Sequence, residues 1–125
     1  MLKILLVEDD KFLSKAYKDG LQDAGFTVVC AFDGKEAMEK AKSLNPDIIL
    51  LDLIMPIQNG IDTLEELKGD EALKNIPVVI LSNSARDSDI KRGMALGAVD
   101  YLIKSDFSME EIVKKVKASL EKKAG

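Results

Sequence analysis

The chain contains no histidine and a single cysteine, Cys30, among its 125 residues. The first absence removes Ser-His-Asp triads, histidine-ligated zinc and imidazole acid–base chemistry. The second removes any internal disulfide. Cys30 ends a short apolar run and is expected to be a small buried hydrophobe. No apolar run approaches the roughly 18 residues of a membrane span, and the stretch ahead of the first acids is too short for a signal peptide. A cytoplasmic location is expected on those grounds. An excess of basic charge is also lacking. The net charge is -4, so no basic excess exists to displace phosphate counterions, and direct nucleic-acid binding is not expected. Lys114, Lys115, Lys117, Lys122 and Lys123 come nearest to a basic patch, but they alternate with Val113, Val116 and Leu120 and read as a solvated helix face. No Walker-type glycine loop is present, which excludes a nucleotide-cradling P-loop.

What is present is one core's worth of apolar residues, 46% of the chain, in a strict alternation of short aliphatic runs and amphipathic segments. Strands are expected at Leu2–Val7, Phe26–Cys30, Asp47–Leu51, Pro77–Leu81 and Val99–Ile103. Helices are expected at Lys11–Ala24, Lys35–Leu44, Ile61–Lys68, Asp87–Leu96 and Met109 to about Lys122, with a loop at Pro56–Gly60 and an extra helical turn at Glu71–Lys74. Asp10 is a candidate N-cap, Gly25 and Gly97 are helix stops, and Ser108 with Glu111 forms a capping box. Asp33, Asp47, Asp62 and Asp100 are assigned to caps and turns. The alternation predicts an α/β domain, a doubly wound parallel sheet covered on both faces.

In such a sheet the carboxyl ends of the strands share one edge, where ligands bind. That edge would collect Glu8, Asp9 and Asp10 from the first strand, Asp52 from the third, Ser82 just after the fourth and Lys104 from the fifth. Crowded carboxylates repel one another, and a hard divalent cation relieves that repulsion. Magnesium, which keeps several waters and leaves room for a phosphoryl oxygen, fits best, with manganese as a substitute. Lys104 adds a compact positive charge and Ser82 a hydroxyl donor.

The runs Leu6-Val7-Glu8-Asp9-Asp10, Leu51-Asp52-Leu53-Ile54-Met55-Pro56 with Gly60 beyond, Ser82, Gly97-Ala98-Val99-Asp100-Tyr101 and Tyr101-Leu102-Ile103-Lys104 stand in an order and at spacings that resemble the receiver domains of two-component response regulators. The resemblance covers essentially the whole chain, so residues 1–125 are expected to form one receiver domain. It implies the flavodoxin-like strand order 2-1-3-4-5 of chemotaxis-type receivers. It implies Asp52 as phosphoacceptor, Glu8, Asp9, Asp52 and the backbone carbonyl of Ile54 as magnesium ligands, Lys104 as a bridge to the phosphoryl group, and Ser82 with Tyr101 as the switch pair. It also implies a sensor histidine kinase or phosphotransfer protein as donor. An output protein would read the fourth helix, fifth strand and fifth helix, and the chain would be a monomer or a dimer formed on phosphorylation. No DNA-binding effector is expected within these 125 residues, whether the chain is a free-standing regulator or a receiver cut from a longer protein.

Three positions depart from the family pattern. Asn83 follows Ser82, Ile54 stands two residues after Asp52, and Lys104 is followed by Ser105 where proline is customary. The Lys104–Ser105 bond is expected to be trans, since cis before a non-proline residue costs about 2.5–4 kcal/mol. Ile54 lies where an aspartyl-nucleophile phosphohydrolase would carry a second acid, which argues against turnover of external substrates. A receiver-like module that is never phosphorylated is the other alternative, and the complete set of acids, hydroxyl and lysine argues against it.

Overall fold

The computed structural model describes residues 2–54 and 59–124, with side chains through Glu121. Five strands, β1 (Lys3–Val7), β2 (Thr27–Ala31), β3 (Ile48–Leu51), β4 (Val78–Ser82) and β5 (Asp100–Ile103), form one parallel sheet in the order β2-β1-β3-β4-β5. The helices are α1 (Lys11–Asp23), α2 (Gly34–Leu44), α3 (Gly60–Gly69), α4 (Asp87–Ala95) and α5 (Met109–Ala124). This is the doubly wound, flavodoxin-like order that the resemblance implied.

The strand sequences account for the layering. A strand buried on both faces needs apolar residues at consecutive positions, and β3 is four buried aliphatics in a row. Successive side chains point to opposite faces, so Leu5, Val7, Ile49 and Leu51 pack with Ala37 and Ala41 of α2 and Leu64 and Leu67 of α3. Ile4, Leu6, Ile48 and Leu50 pack with Leu21 of α1 and Ile112 and Val116 of α5. Lys114, Lys115 and Lys117 of α5 are exposed, as a solvated helix face requires.

The helix ends follow their local chemistry. Asp10 accepts from the N–H groups of Phe12 (2.9 Å) and Leu13 (3.1 Å), and Asp33 from that of Glu36 (2.8 Å). Ser108 and Glu111 exchange the two bonds of a capping box, at 3.0 and 3.2 Å. Gly25 and Gly97 end α1 and α4 at φ +102° and +110°, where other residues are strained.

Several expectations need correction. Ser82 is the last residue of β4, paired in register with Ile103, and not a residue beyond it. Cys30 is half-buried, because β2 runs on to Ala31 at the edge of the sheet. Asp62 does not cap α3; Asn59 does, accepting from the Asp62 N–H at 3.0 Å. Asp47 ties two strands together by accepting from the Lys3 N–H at 2.7 Å, and Asp100 begins β5. The extra helical turn expected at Glu71–Lys74 is present, with the Asp70 carbonyl accepting from the N–H groups of Leu73 at 3.0 Å and Lys74 at 2.8 Å. The Lys104–Ser105 bond is trans as expected, for no cis peptide occurs among the described residues. The residue that appears inserted before Phe107 is taken up by a 3-10 turn, Lys104–Asp106. Met55, Pro56 and most of the expected loop lie outside the described residues.

Candidate functional site

Backbone register brings the acids together. Val7 and Leu51 are direct partners across β1 and β3, so the residues that follow them, Glu8 and Asp52, leave the sheet side by side. The Asp52 N–H donates to the Val7 carbonyl at 3.0 Å and that of Glu8 to the Ala31 carbonyl at 3.0 Å, which extends both ladders by one bond and fixes both residues. Gly60, at the start of α3, donates its N–H to the Leu53 carbonyl at 2.8 Å and closes the loop after Asp52.

Ligand oxygens of Glu8, Asp9 and Asp52 lie within 4.8 Å of one another. Glu8 and Asp52 are buried, and Asp9 faces outward with no partner for its carboxylate among the described residues. The Lys104 ammonium, itself buried, donates to both Glu8 and Asp52, the second at 3.2 Å. Asp52 also accepts from the Ile54 N–H at 3.2 Å, and Glu8 from the Asp10 N–H at 3.1 Å. A cleft of about 210 Å³ opens over this group, with Asp10, Leu13, Ile54 and Asn83 completing its wall. Ile54 is 65% exposed there, so its side chain stands over the cleft mouth and does not join the core.

The two expected switch residues, Ser82 and Tyr101, do not line this cleft. Ser82 is fully buried, and its Oγ accepts from the Ser84 N–H at 3.1 Å. The half-buried Tyr101 donates its hydroxyl to the Ser84 carbonyl at 2.9 Å. The structure thus gathers Glu8, Asp9, Asp52, Ile54 and Lys104 at one opening and links Ser82 and Tyr101 through Ser84. Asn59 and Ser84 escaped the sequence reading. Asn59-Gly60 ahead of an amphipathic run was a legible cap signal, whereas nothing local marked Ser84.

Burial pushes the Glu8 carboxyl up to about 7, reinforced by the Asp52 charge, against the pull of Lys104 and the Asp10 N–H. Burial works against the Lys104 ammonium too, but its hydrogen bonds to and attraction by Glu8 and Asp52 outweigh it and raise its pKa. Three carboxylate oxygens within 4.8 Å of one another, one of them on a group reluctant to ionise, fit a hard divalent cation, which favours the charged form of all three.

The pH dependence of stability follows. Between its ordinary value of 4.5 and about 7, folded Glu8 holds a proton that the unfolded chain has released. Stability without metal should therefore fall as pH rises through that window, and saturating magnesium, which binds the ionised form, should flatten or reverse the fall. Urea unfolding at about pH 5 and about pH 8, with chelator or with magnesium, measures both slopes. A metal-free stability that rises over the same interval contradicts the assignment.

A family model described as the response regulator receiver domain matches residues 4–117. The chain is 40% identical over 122 residues to the transcriptional regulatory protein CpxR of Klebsiella pneumoniae, covering 98% of this chain and 50% of that protein. It is 36% identical over 121 residues to the transcriptional regulatory protein PrrA of Mycobacterium leprae, covering 97% of this chain and 51% of that protein. It therefore spans about half the length of these curated relatives. Among solved structures it is similar to the Francisella response regulator 1452 receiver domain, at TM-score 0.89 and 33% identity over 98% of each chain. It is also similar to the Mn(2+)-bound form of response regulator Rcp1, at TM-score 0.80 and 32% identity over 94% of this chain and 91% of that one. The match over nearly the whole chain, on a sheet of this order and with the acids and lysine gathered at its carboxyl edge, shows that the chain belongs to the response regulator receiver domain family.

Proposed function

We propose that the chain is a phosphoacceptor switch, taking a phosphoryl group on Asp52 in a magnesium-dependent reaction. The observation that carries this is the Asp52 carboxylate, buried at a strand end beside two further acids and bonded to a buried ammonium. Glu8, Asp9, Asp52 and the Ile54 carbonyl hold magnesium, which supplies charge neutralisation on the phosphoryl oxygens. Rcp1, a relative with manganese bound, supports a divalent site in this fold.

In the transfer, a carboxylate oxygen of Asp52 attacks phosphorus in line while the bond from phosphorus to the donor nitrogen breaks. The donor is a phosphohistidine on a sensor kinase or phosphotransfer protein, and its imidazole takes up a proton as it leaves. Positioning and charge supply most of the acceleration. Lys104, already on Asp52, moves its ammonium toward the charge that builds on the equatorial oxygens. Ser82 turns its hydroxyl to donate to one of them, and Tyr101 follows into the space released. The surface of α4, β5 and α5 then changes for an output partner, in the cytoplasm. Incubation with magnesium and acetyl phosphate should add one acid-labile phosphoryl group, and chelation should abolish it. Labelling that persists without any divalent cation overturns the magnesium dependence.

The phosphorylated state should be long-lived for a receiver. Hydrolysis needs a water in line with phosphorus, and the exposed Ile54 side chain at the cleft mouth offers no hydrogen bond to hold one. Ile54→Asn should shorten the lifetime of phosphorylated Asp52 by about tenfold, the effect of one well-placed hydrogen bond of about 1.4 kcal/mol. The decay of label in both chains, with magnesium present, measures it. Equal or slower decay in the variant removes Ile54 from that role.

A further inference from the structure

We propose that a second cleft, at the β2 edge of the sheet, binds a small organic phosphate that carries a planar ring, a nucleoside phosphate being the type. The inference goes beyond the phosphoacceptor reading and does not depend on it.

This cleft lies between α1 and β2, encloses about 640 Å³ and shares no lining residue with the acidic cleft. Its volume is that of a small-molecule site. Four lysines line it, in a chain whose net charge is -4. Lys11, Lys15 and Lys18 recur at helical spacing on one face of α1, a row about 10 Å long. Lys40 of α2 adds the fourth. One carboxylate, Asp19, shares the lining, and it is already paired with Lys15 at 2.9 Å. Lys11 and Lys18 have no carboxylate partner among the described residues.

Ser14 stands within the lysine row and lines the same cleft. It is 2% exposed, and its hydroxyl is the one buried side-chain polar atom without a hydrogen-bond partner among the described residues. A buried hydroxyl left unpaired costs stability, so its place in a cleft wall points to an acceptor supplied from outside the chain. Ammonium groups and a hydroxyl are donors to the same kind of acceptor, an anionic oxygen. No arginine lines the cleft, so the planar fork that best matches a carboxylate is missing. A row of compact ammonium charges suits phosphate instead.

The facing wall is apolar. Val28 and Cys30 of β2 turn toward α1, and Phe32 stands just beyond them, with the Lys11 ammonium 5.8 Å from its ring centroid. That wall offers an inorganic anion no bond, but it can cover the flat body of a ring whose phosphate reaches the lysines. An acidic peptide laid along β2 as a further strand fits less well. At this edge the Cys30 carbonyl already accepts from the Lys40 ammonium, and the Phe32 N–H donates to Glu36 at 2.9 Å. The backbone groups that such a peptide would pair with are therefore taken.

Cys30, the only thiol of the chain and part of the cleft wall, serves as the reporter. The full chain is alkylated with iodoacetamide, a neutral reagent, in the presence of chelator, so that no transfer to Asp52 intervenes. Adenosine triphosphate is the probe. It should slow Cys30 alkylation, with half of the protection reached below about 1 mM. Adenosine and pyrophosphate, each with half of the recognised chemistry, should need at least about tenfold more. Lys18→Ala and Ser14→Ala should each raise the half-protecting concentration about tenfold, the loss of one hydrogen bond to a charged group. Lys117→Ala, on the exposed face of α5, should leave it unchanged. Ser14→Ala should also keep at least the wild-type urea midpoint, because it deletes a bond that the free chain does not make. A lower midpoint would show that the hydroxyl has a partner in the free chain and overturns its role in the site. Equal protection by adenosine, by pyrophosphate or by a decaglutamate peptide overturns the ligand class. No protection by adenosine triphosphate, or protection that Lys18→Ala and Ser14→Ala leave unchanged, overturns the site.

Discussion

A Lys104→Ala chain should accept a phosphoryl group about 10²–10³-fold more slowly than wild type, the usual loss when one fixed charge-stabilising donor is removed. Lys104 is the one cation in contact with both Glu8 and Asp52 among the described residues, and its side chain, only 7% exposed, holds the ammonium against both carboxylates. The same substitution leaves two buried carboxylates without a counter-charge, which costs about 3–5 kcal/mol in comparable sites. Magnesium should restore much of that stability, because a divalent ion on the same oxygens supplies the missing charge. It should not restore the rate, because it cannot take the ammonium's place beside the transferring oxygens. Acetyl phosphate labelling time courses and urea unfolding, each with and without magnesium, measure the two effects separately. Wild-type labelling would remove Lys104 from the transfer machinery.

Gly60→Ala should destabilise the fold by about 3 kcal/mol, at the upper end of overpacking costs, and slow labelling as well. A Cβ at Gly60 would lie 2.2 Å from the Asp52 carbonyl oxygen, 2.5 Å from Leu53 Cα and 2.9 Å from the Asp52 carbonyl carbon. All three obstacles are backbone, so no side chain can swing aside. Relief requires the start of α3 to lift away from the strand end that presents the Asp52 carboxylate. Gly69→Ala, at the other end of the same helix, is the control: nothing lies within 4 Å of its Cβ position, and alanine there should be neutral or stabilise by up to about 1 kcal/mol. A Gly60→Ala chain as stable as Gly69→Ala would mean that the close approach does not exist.

The strands were legible because each is a short aliphatic run, buried on both faces in β1, β3 and β4, a pattern that no amphipathic helix shares. The acids and Lys104 were legible because each directly follows such a run, and a parallel sheet sends all those ends to one edge. What escaped depended on contacts between segments far apart in sequence. The hydrogen bond of Lys104 to Glu8 spans 96 residues. The hydrogen bond from Tyr101 to Ser84 spans 17. Ser84 itself carried no local signal, and the arrival of Tyr101 distinguishes it. Cys30 was misjudged because apolar content does not say which strand is at the edge. Asp62 was misjudged because Asn59, three residues earlier, competes for the cap.

The central claim is that Asp52 alone carries the phosphoryl group. Its direct test is to load the chain with acetyl phosphate and magnesium, reduce the acyl phosphate to the alcohol with borohydride, and locate the altered residue by peptide mass mapping. The account predicts homoserine at position 52 and nowhere else, and no altered peptide from an Asp52→Asn chain. Homoserine at Asp9 or any other aspartate in the wild type, the corresponding five-carbon alcohol at a glutamate, or undiminished labelling of Asp52→Asn, would contradict it.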